Sequence, residues 1–232
     1  MNVVFCAYRK WALSVVEKIG LESCGIDKAV VIKTEKDFLK NIEQIDFEID
    51  LIILIGWSWI LNDQVISRYN CFGIHPSDLP SFRGGSPLQN QIIRGVVESK
   101  VSLMSISSKL DAGNIWLQER LSLSGSNMDE VFDQLVCSCV VLIRGFIAEY
   151  PNLTPRVQDL SEGSYYPRRR PSDSRLEPDE FATKSLEELY NFIRCLTDPY
   201  PNAYIEDSSG DRLYFTGVKL VRSNSLEVLQ DE

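Results

Sequence analysis

His75 is the single histidine among 232 residues, and it stands in the run Cys71-Phe72-Gly73-Ile74-His75-Pro76-Ser77-Asp78-Leu79-Pro80-Ser81-Phe82-Arg83-Gly84-Gly85-Ser86-Pro87. An imidazole titrates near neutrality and can take a proton from a reacting group or return one. The competing interpretation is a core histidine beside a proline-rich turn, so the surrounding pattern has to decide. A second concentration of chemistry is Arg168-Arg169-Arg170, the densest basic cluster in the chain, which follows Tyr165 and Tyr166. Guanidinium groups make charge-assisted contacts to phosphate, although an arginine run in a linker can also be plain solvated surface. Arg9, after the first apolar run, is a weaker candidate for the same role. A metal site is not expected, because Cys137-Ser138-Cys139 has no second pair at ligand spacing.

The histidine run resembles the signature loop of the folate-dependent formyltransferases, in which a strand ending in Asn-x-His leads into a Ser-Leu-Leu-Pro turn and an Arg-Gly loop. Here His-Pro-Ser-x-Leu-Pro-x-x-Arg-Gly is intact, but Gly73 stands where the family has Asn. The family's second landmark is an aspartate in a Leu-Asp-x-Gly turn, and Leu110-Asp111-Ala112-Gly113 supplies it 36 residues after the histidine. Two motifs in order at the right separation are a strong signal, whereas His-Pro-Ser alone is weak. The segment Ile55-Gly56-Trp57-Ser58-Trp59-Ile60-Leu61 is similar to the family's pterin-pocket strand end, which implies folate contacts at Gly56, Trp57 and Ile60, with Leu110 nearby. Trp57 and Trp59 read equally well as core packing. The loop carrying Arg83, Gly84, Gly85 and Pro87 is similar to the one that lies over the formyl-folate.

The resemblance implies transfer of the formyl group of 10-formyltetrahydrofolate to a primary amine. His75 is then the proton shuttle, and Asp111 the group that orients the imidazole and stabilises its protonated form. In the family the Asn amide supports the oxyanion. Gly73 leaves that task to protonated His75, Gln89 or Asn90, or else marks a non-catalytic folate-binding relative. The stretch from Tyr165 to Glu177 resembles the Arg-Arg-x-Pro-x-Asp-Ser segment of formyltransferases that act on nucleotide-linked amino sugars, and Asp198-Pro199-Tyr200-Pro201 resembles their Asp-Pro-Trp-Pro element. The subgroup most similar is that assigned to pseudaminic-acid biosynthesis. A nucleotide-linked amino sugar is thus the expected partner, held by Arg168, Arg169, Arg170, Tyr165, Tyr166, Ser77 and Arg9; the nucleotide itself is left open. The alternatives are methionyl-tRNA and glycinamide ribonucleotide formyltransferases. The tRNA enzymes carry a basic C-terminal domain, whereas this chain has 10 basic and 15 acidic residues from Pro151 onward, so nucleic acid is disfavoured.

The scaffold that must position these residues reads as α/β. Apolar runs over 3–7, 28–33, 50–55 and 71–74 alternate with amphipathic stretches over 11–19, 37–42 and 64–67, the pattern of a Rossmann-like, mostly parallel sheet covered by helices. His75 then falls at a carboxyl strand end, where such sheets bind ligands. A helix is expected over 88–94, capped by Ser86 with Pro87 at its first position, followed by strands over 101–107 and 115–120 and a helix over 128–150. Proline, glycine and serine become frequent over 151–171, which divides the chain into a catalytic domain, 1–164, and a small C-terminal α+β unit, 165–232. That unit reads as a helix over 185–196 and strands over 203–206 and 213–221.

A formal charge of −9 argues against a phosphate-coated polymer as the main substrate, so any anion site must be local. No apolar stretch is read as approaching a membrane span, and the N-terminus lacks signal-peptide features. Six cysteines without such a signal are expected to be reduced thiols, which places the protein in the cytoplasm. The resemblance adds a homodimer.

Overall fold

The computed structural model describes residues 1–198 and 200–223. Pro199 and residues 224–232, which the sequence reading included in the C-terminal unit, lie outside the described residues.

The core is a six-stranded sheet in the order β2-β1-β3-β4-β6-β7. β1 (Asn2–Ala7), β2 (Lys28–Ile32), β3 (Leu51–Ile55) and β4 (Cys71–His75) run parallel. Strands covered on both faces must be apolar nearly throughout, and every residue of β3 and β4 is buried. Helices α1 (Lys10–Ile19), α2 (Glu35–Glu43) and α3 (Asp63–Arg68) connect them. The order reverses between β1 and β3, and a ligand cleft is expected beyond the carboxyl ends of the strands at such a point. The two-residue β5 (Arg83–Gly84) and α4 (Pro87–Ile92) follow, then β6 (Glu98–Ser105) and β7 (Ile115–Ser122), which close the sheet antiparallel. β6 begins before the expected 101 because Glu98 already pairs with Ser122.

α5 (Met128–Glu149) is long and apolar enough, by length and composition, to cross a membrane, which corrects the reading that no stretch approaches that length. Its apolar side is occupied within the protein: Val131, Leu135, Leu142, Ile143 and Phe146 are buried in the same core as β1 and β3. Asn127 caps it by accepting from Glu130 N–H at 3.0 Å.

Beyond β8 (Tyr165–Tyr166), α6 (Glu180–Thr183) and α7 (Leu186–Arg194) comes the hairpin β9 (Ala203–Glu206) and β10 (Arg212–Phe215). Ser185 and Glu188 form a capping box on α7. Leu176, Leu189, Ile193, Leu196 and Ala203 join the main core rather than a separate one. The last strand stops at Phe215 instead of 221 because β9 offers only four residues to pair with. All six cysteines are free thiols. Burial pushes the Cys71 and Cys195 thiols up to about 12, and those of Cys6 and Cys139 higher still.

Gly113 sits where a Cβ would lie 1.8 Å from the Ser105 carbonyl oxygen, so the turn after Asp111 is pressed against β6. Gly113→Ala should therefore destabilise the fold by about 1–3 kcal/mol, the usual cost of overpacking, read as a lower urea midpoint with an unchanged slope.

Candidate active site

His75 ends β4 and is 6% exposed. Its Nε2 lies 2.9 Å from the Phe82 carbonyl oxygen. A carbonyl can only accept, so Nε2 carries the hydrogen, and Nδ1 is the nitrogen that faces Asp111 Oδ2 at 3.5 Å. The same carboxylate oxygen accepts the Gly84 N–H at 2.8 Å. The Asp111 turn is held in turn by Gln158, whose amide donates to the carbonyls of Asp111 and Gly113 at 3.0 and 2.6 Å. Phe82, Ser86 and Asp111 are the non-glycine residues with left-handed φ among the described residues, at 57°, 50° and 51°. All three border this site, and such conformations persist only where neighbouring bonds enforce them.

The glycine loop brings the arginine cluster to the histidine. β5 pairs in parallel with β8, Gly85 N–H donates to Tyr166 O at 2.9 Å, and Arg83 N–H to Ser164 O at 3.0 Å. A Cβ at Gly84 would meet Tyr166 O at 2.2 Å, and one at Gly85 would meet Arg168 Cα at 2.3 Å. Only glycine permits that approach. Ser86 stands at the N-terminal boundary of α4 as expected but does not cap it; its hydroxyl accepts the Arg169 N–H at 3.2 Å.

These elements enclose a cleft of about 710 Å³. Among the described residues, five cationic side chains border it, Arg9, Lys109, Arg168, Arg169 and Arg170, against one carboxylate, Asp111. Gly56, Trp57, Ile60, Leu110 and Pro87 line it together with Gly84 and Gly85. Trp57 and Trp59 pack edge to face along one wall with centroids 4.8 Å apart, and Tyr8 packs against both from outside the lining. Three cleft-lining side chains keep buried N–H donors without a partner: Trp57 Nε1, Gln89 Nε2 and Arg169 Nε. Burial pulls the Arg169 guanidinium below its ordinary value, yet it stays a cation. Gly73 also lines the cleft, and the space beside it is taken by the Ile106 side chain.

Several expected site residues serve the framework instead. Ser77 is fully buried and donates to Ser81 O at 2.7 Å, outside the cleft lining. Asn90 Nδ2 donates to Gly85 O at 2.8 Å and its Oδ1 accepts from Arg94. Tyr166 stacks on Phe82 at 5.2 Å and has Arg94 over its ring at 4.0 Å, whereas Tyr165 is exposed at the cleft rim. Arg83 points its guanidinium to Leu160 O at 3.2 Å, away from the cleft. Arg194 is buried and donates to Leu123 O and Gly125 O. Lys109, Gln158 and Ile106 were missed. Lys109 could have been noticed as the neighbour of Leu110-Asp111, but Gln158 acts only through backbone carbonyls and leaves no sequence signal.

Residues 28–134 match the formyl transferase family. A methionyl-tRNA formyltransferase of Rickettsia typhi is 32% identical over 176 residues, 72% of this chain and 55% of that protein; the matched stretch thus spans little more than half of that relative. The structure of a methionyl-tRNA formyltransferase from Clostridium thermocellum superposes with a TM-score of 0.77 at 25% identity, over 92% of this chain and 96% of the other. A sugar N-formyltransferase from Shewanella shares the fold with a TM-score of 0.70 at 19% identity, over 96% and 99%. The central sheet is therefore the mostly parallel α/β fold of these proteins, and the stretch that matches the formyl transferase family, residues 28–134, carries Trp57, His75, the 83–85 loop and Asp111.

Proposed function

We propose that this protein moves the formyl group of 10-formyltetrahydrofolate onto the primary amine of a nucleotide-linked amino sugar, with a pseudaminic-acid precursor the acceptor suggested by the sequence resemblance. The observation that carries this reading is the meeting of the His75–Asp111 pair with a five-cation border in one cleft of a chain whose net charge is −9. The cleft has the volume of an ordinary small-molecule site, and the unpartnered Trp57 Nε1 on its aromatic wall suits a flat ring that presents acceptors. Gly56, Trp57, Ile60, Leu110, Pro87 and the 84–85 backbone would hold the folate, which supplies a formyl carbon open to attack by an amine.

The chain's own residues handle the protons and the second substrate. The Phe82 carbonyl fixes hydrogen on Nε2, so His75 Nδ1 is the position that accepts the amine's proton. Asp111, 3.5 Å away, balances the charge the imidazole then carries. Arg168 and Arg170 are exposed at the rim and suit phosphate oxygens, whereas Arg169 is partly committed to Asp173 O and to the Phe192 ring. The methionyl-tRNA relatives favour a tRNA acceptor, but the acidic C-terminal third offers little to a polyphosphate.

Incubation with 10-formyltetrahydrofolate and a panel of UDP- and TDP-linked amino sugars, methionyl-tRNA and glycinamide ribonucleotide, read by mass spectrometry for one added formyl group, tests the reading. Formylation of methionyl-tRNA alone would replace the sugar acceptor; no product from any member would remove the enzyme. His75→Ala and Asp111→Asn should each lower turnover about 10²–10⁴-fold, the range for lost acid–base groups, with unchanged circular dichroism. Asp111→Asn keeps an acceptor for the Gly84 N–H, so its loss reports on charge.

The arginines give a separate outcome. Arg168→Ala combined with Arg170→Ala should raise KM for the sugar nucleotide about tenfold or more, as expected for lost charge-assisted bonds, and should flatten its salt dependence. Folate affinity should stay put. An unchanged KM would return both residues to the solvated surface and shift the search to Arg9 and Lys109.

A further inference from the structure

The reaction proposed above builds negative charge on the formyl oxygen. As the amine nitrogen bonds to the formyl carbon, the carbonyl π pair moves onto that oxygen, and the amine's proton passes to His75. When the pair returns, the bond to the folate nitrogen breaks and that nitrogen takes up the proton. A preorganised N–H donor aimed at the oxygen is usually the largest single contribution to such a step. His75 and Asp111 do not supply it: the Nε2–H is held by the Phe82 carbonyl, the N–H formed when Nδ1 takes the proton faces the Asp111 carboxylate, and that carboxylate only accepts.

We infer that the side-chain amide of Gln89 is that donor. Gln89 is 2% exposed, lines the cleft with His75 and Asp111, and its Nε2 has no hydrogen-bond partner. A buried amide N–H left unpaired costs about 1–3 kcal/mol, and native proteins keep few such groups without a reason. A donor satisfied only when charge appears on the substrate is such a reason. The neighbouring strand offers no alternative: residue 73 shares a face with His75, being two positions before it, but Gly73 has no side chain and Ile106 fills the space beside it. Asn90 is excluded because its amide holds the Gly85 carbonyl. Trp57 Nε1 lies on the aromatic wall, and Arg169 Nε belongs to the phosphate side of the cleft.

Two variants test this, and the inference rests on the formyl transfer proposed above. Gln89→Leu removes the amide at similar volume; Gln89→Glu keeps the shape but replaces NH₂ by oxygen. With an acceptor that the wild type formylates, both should lower kcat by about 10²–10³-fold, the loss seen for one oxyanion donor. Tetrahydrofolate affinity, followed by tryptophan fluorescence, should remain within about twofold, since an interaction made only in the transition state leaves ground-state binding alone. The urea midpoint of Gln89→Leu should not fall, because an unsatisfied amide is being removed, whereas Asn90→Ala should lower it. Turnover within about threefold of wild type in both variants overturns the inference, as does a folate affinity that falls in proportion to kcat/KM, which would make Gln89 a ground-state ligand. A wild type that formylates no acceptor defeats the underlying function instead, and is recognised before any variant is made.

Discussion

The close approach of two backbones at Gly84 and Gly85 governs the rest of the site. The chain at Tyr166 and Arg168 lies so near the glycine loop that a single Cβ at either position would enter the opposing backbone. Because that approach is allowed, β5 can pair with β8, Gly84 can donate to Asp111, and the arginine cluster can border the cleft at whose floor His75 sits. Side chains at the end of β4 therefore line the same cleft as side chains some ninety residues later in the chain. The glycines contribute no chemistry themselves; they set the distance at which chemistry can be shared.

Charge is arranged on the same principle of local concentration. A protein of net charge −9 repels anions on average, yet the cleft border carries five cations against one carboxylate. Low-dielectric walls focus such a field toward the opening. The polar accounting agrees, since Trp57, Gln89 and Arg169 all present unmatched donors there. A cleft with a mostly cationic border and three buried N–H groups left without partners favours a ligand that brings negative charge and acceptors, which phosphate and carbonyl oxygens provide.

Much of this was legible in the sequence where burial imposes a pattern. Strands covered on both faces must be apolar along their length, so 3–7, 51–55 and 71–74 declared themselves, and with them the strand end that delivers His75. The Asp111 turn was legible because its residue types recur at a set distance from the histidine. What stayed hidden follows from other physics. Pairing over two residues at β5 and β8 leaves no periodicity to detect. Gln89 and Asn90 are adjacent, and residues one apart on a helix point about 100° from each other, so sequence alone could not say which amide meets the cleft. Ser86 reads as a helix cap, but its left-handed φ turns its hydroxyl to Arg169 instead. The span-like character of α5 was overlooked because polar residues interrupt a stretch whose apolar face is continuous only in three dimensions.

The strained residues show which parts of the chain act as one unit. Phe82, Ser86 and Asp111 each hold a left-handed conformation that a non-glycine residue adopts only at some cost. Each is clamped by the same downstream segment. Ser164 accepts the Phe82 N–H at 2.9 Å, the Arg169 N–H meets the Ser86 hydroxyl, and Gln158 donates to the Asp111 carbonyl. Gly163 adds a contact that a Cβ would close to 2.2 Å from the Pro80 oxygen. The proline, glycine and serine that make this stretch resemble a linker are also the residues that allow a backbone to lie flat against another. It follows that the Phe82 carbonyl, which fixes the His75 tautomer, and the Asp111 carboxylate, which faces Nδ1, are held by one clamp from one side. A displacement of 158–169 would move both partners of the imidazole together, so the geometry of the proton shuttle depends on residues that never touch it.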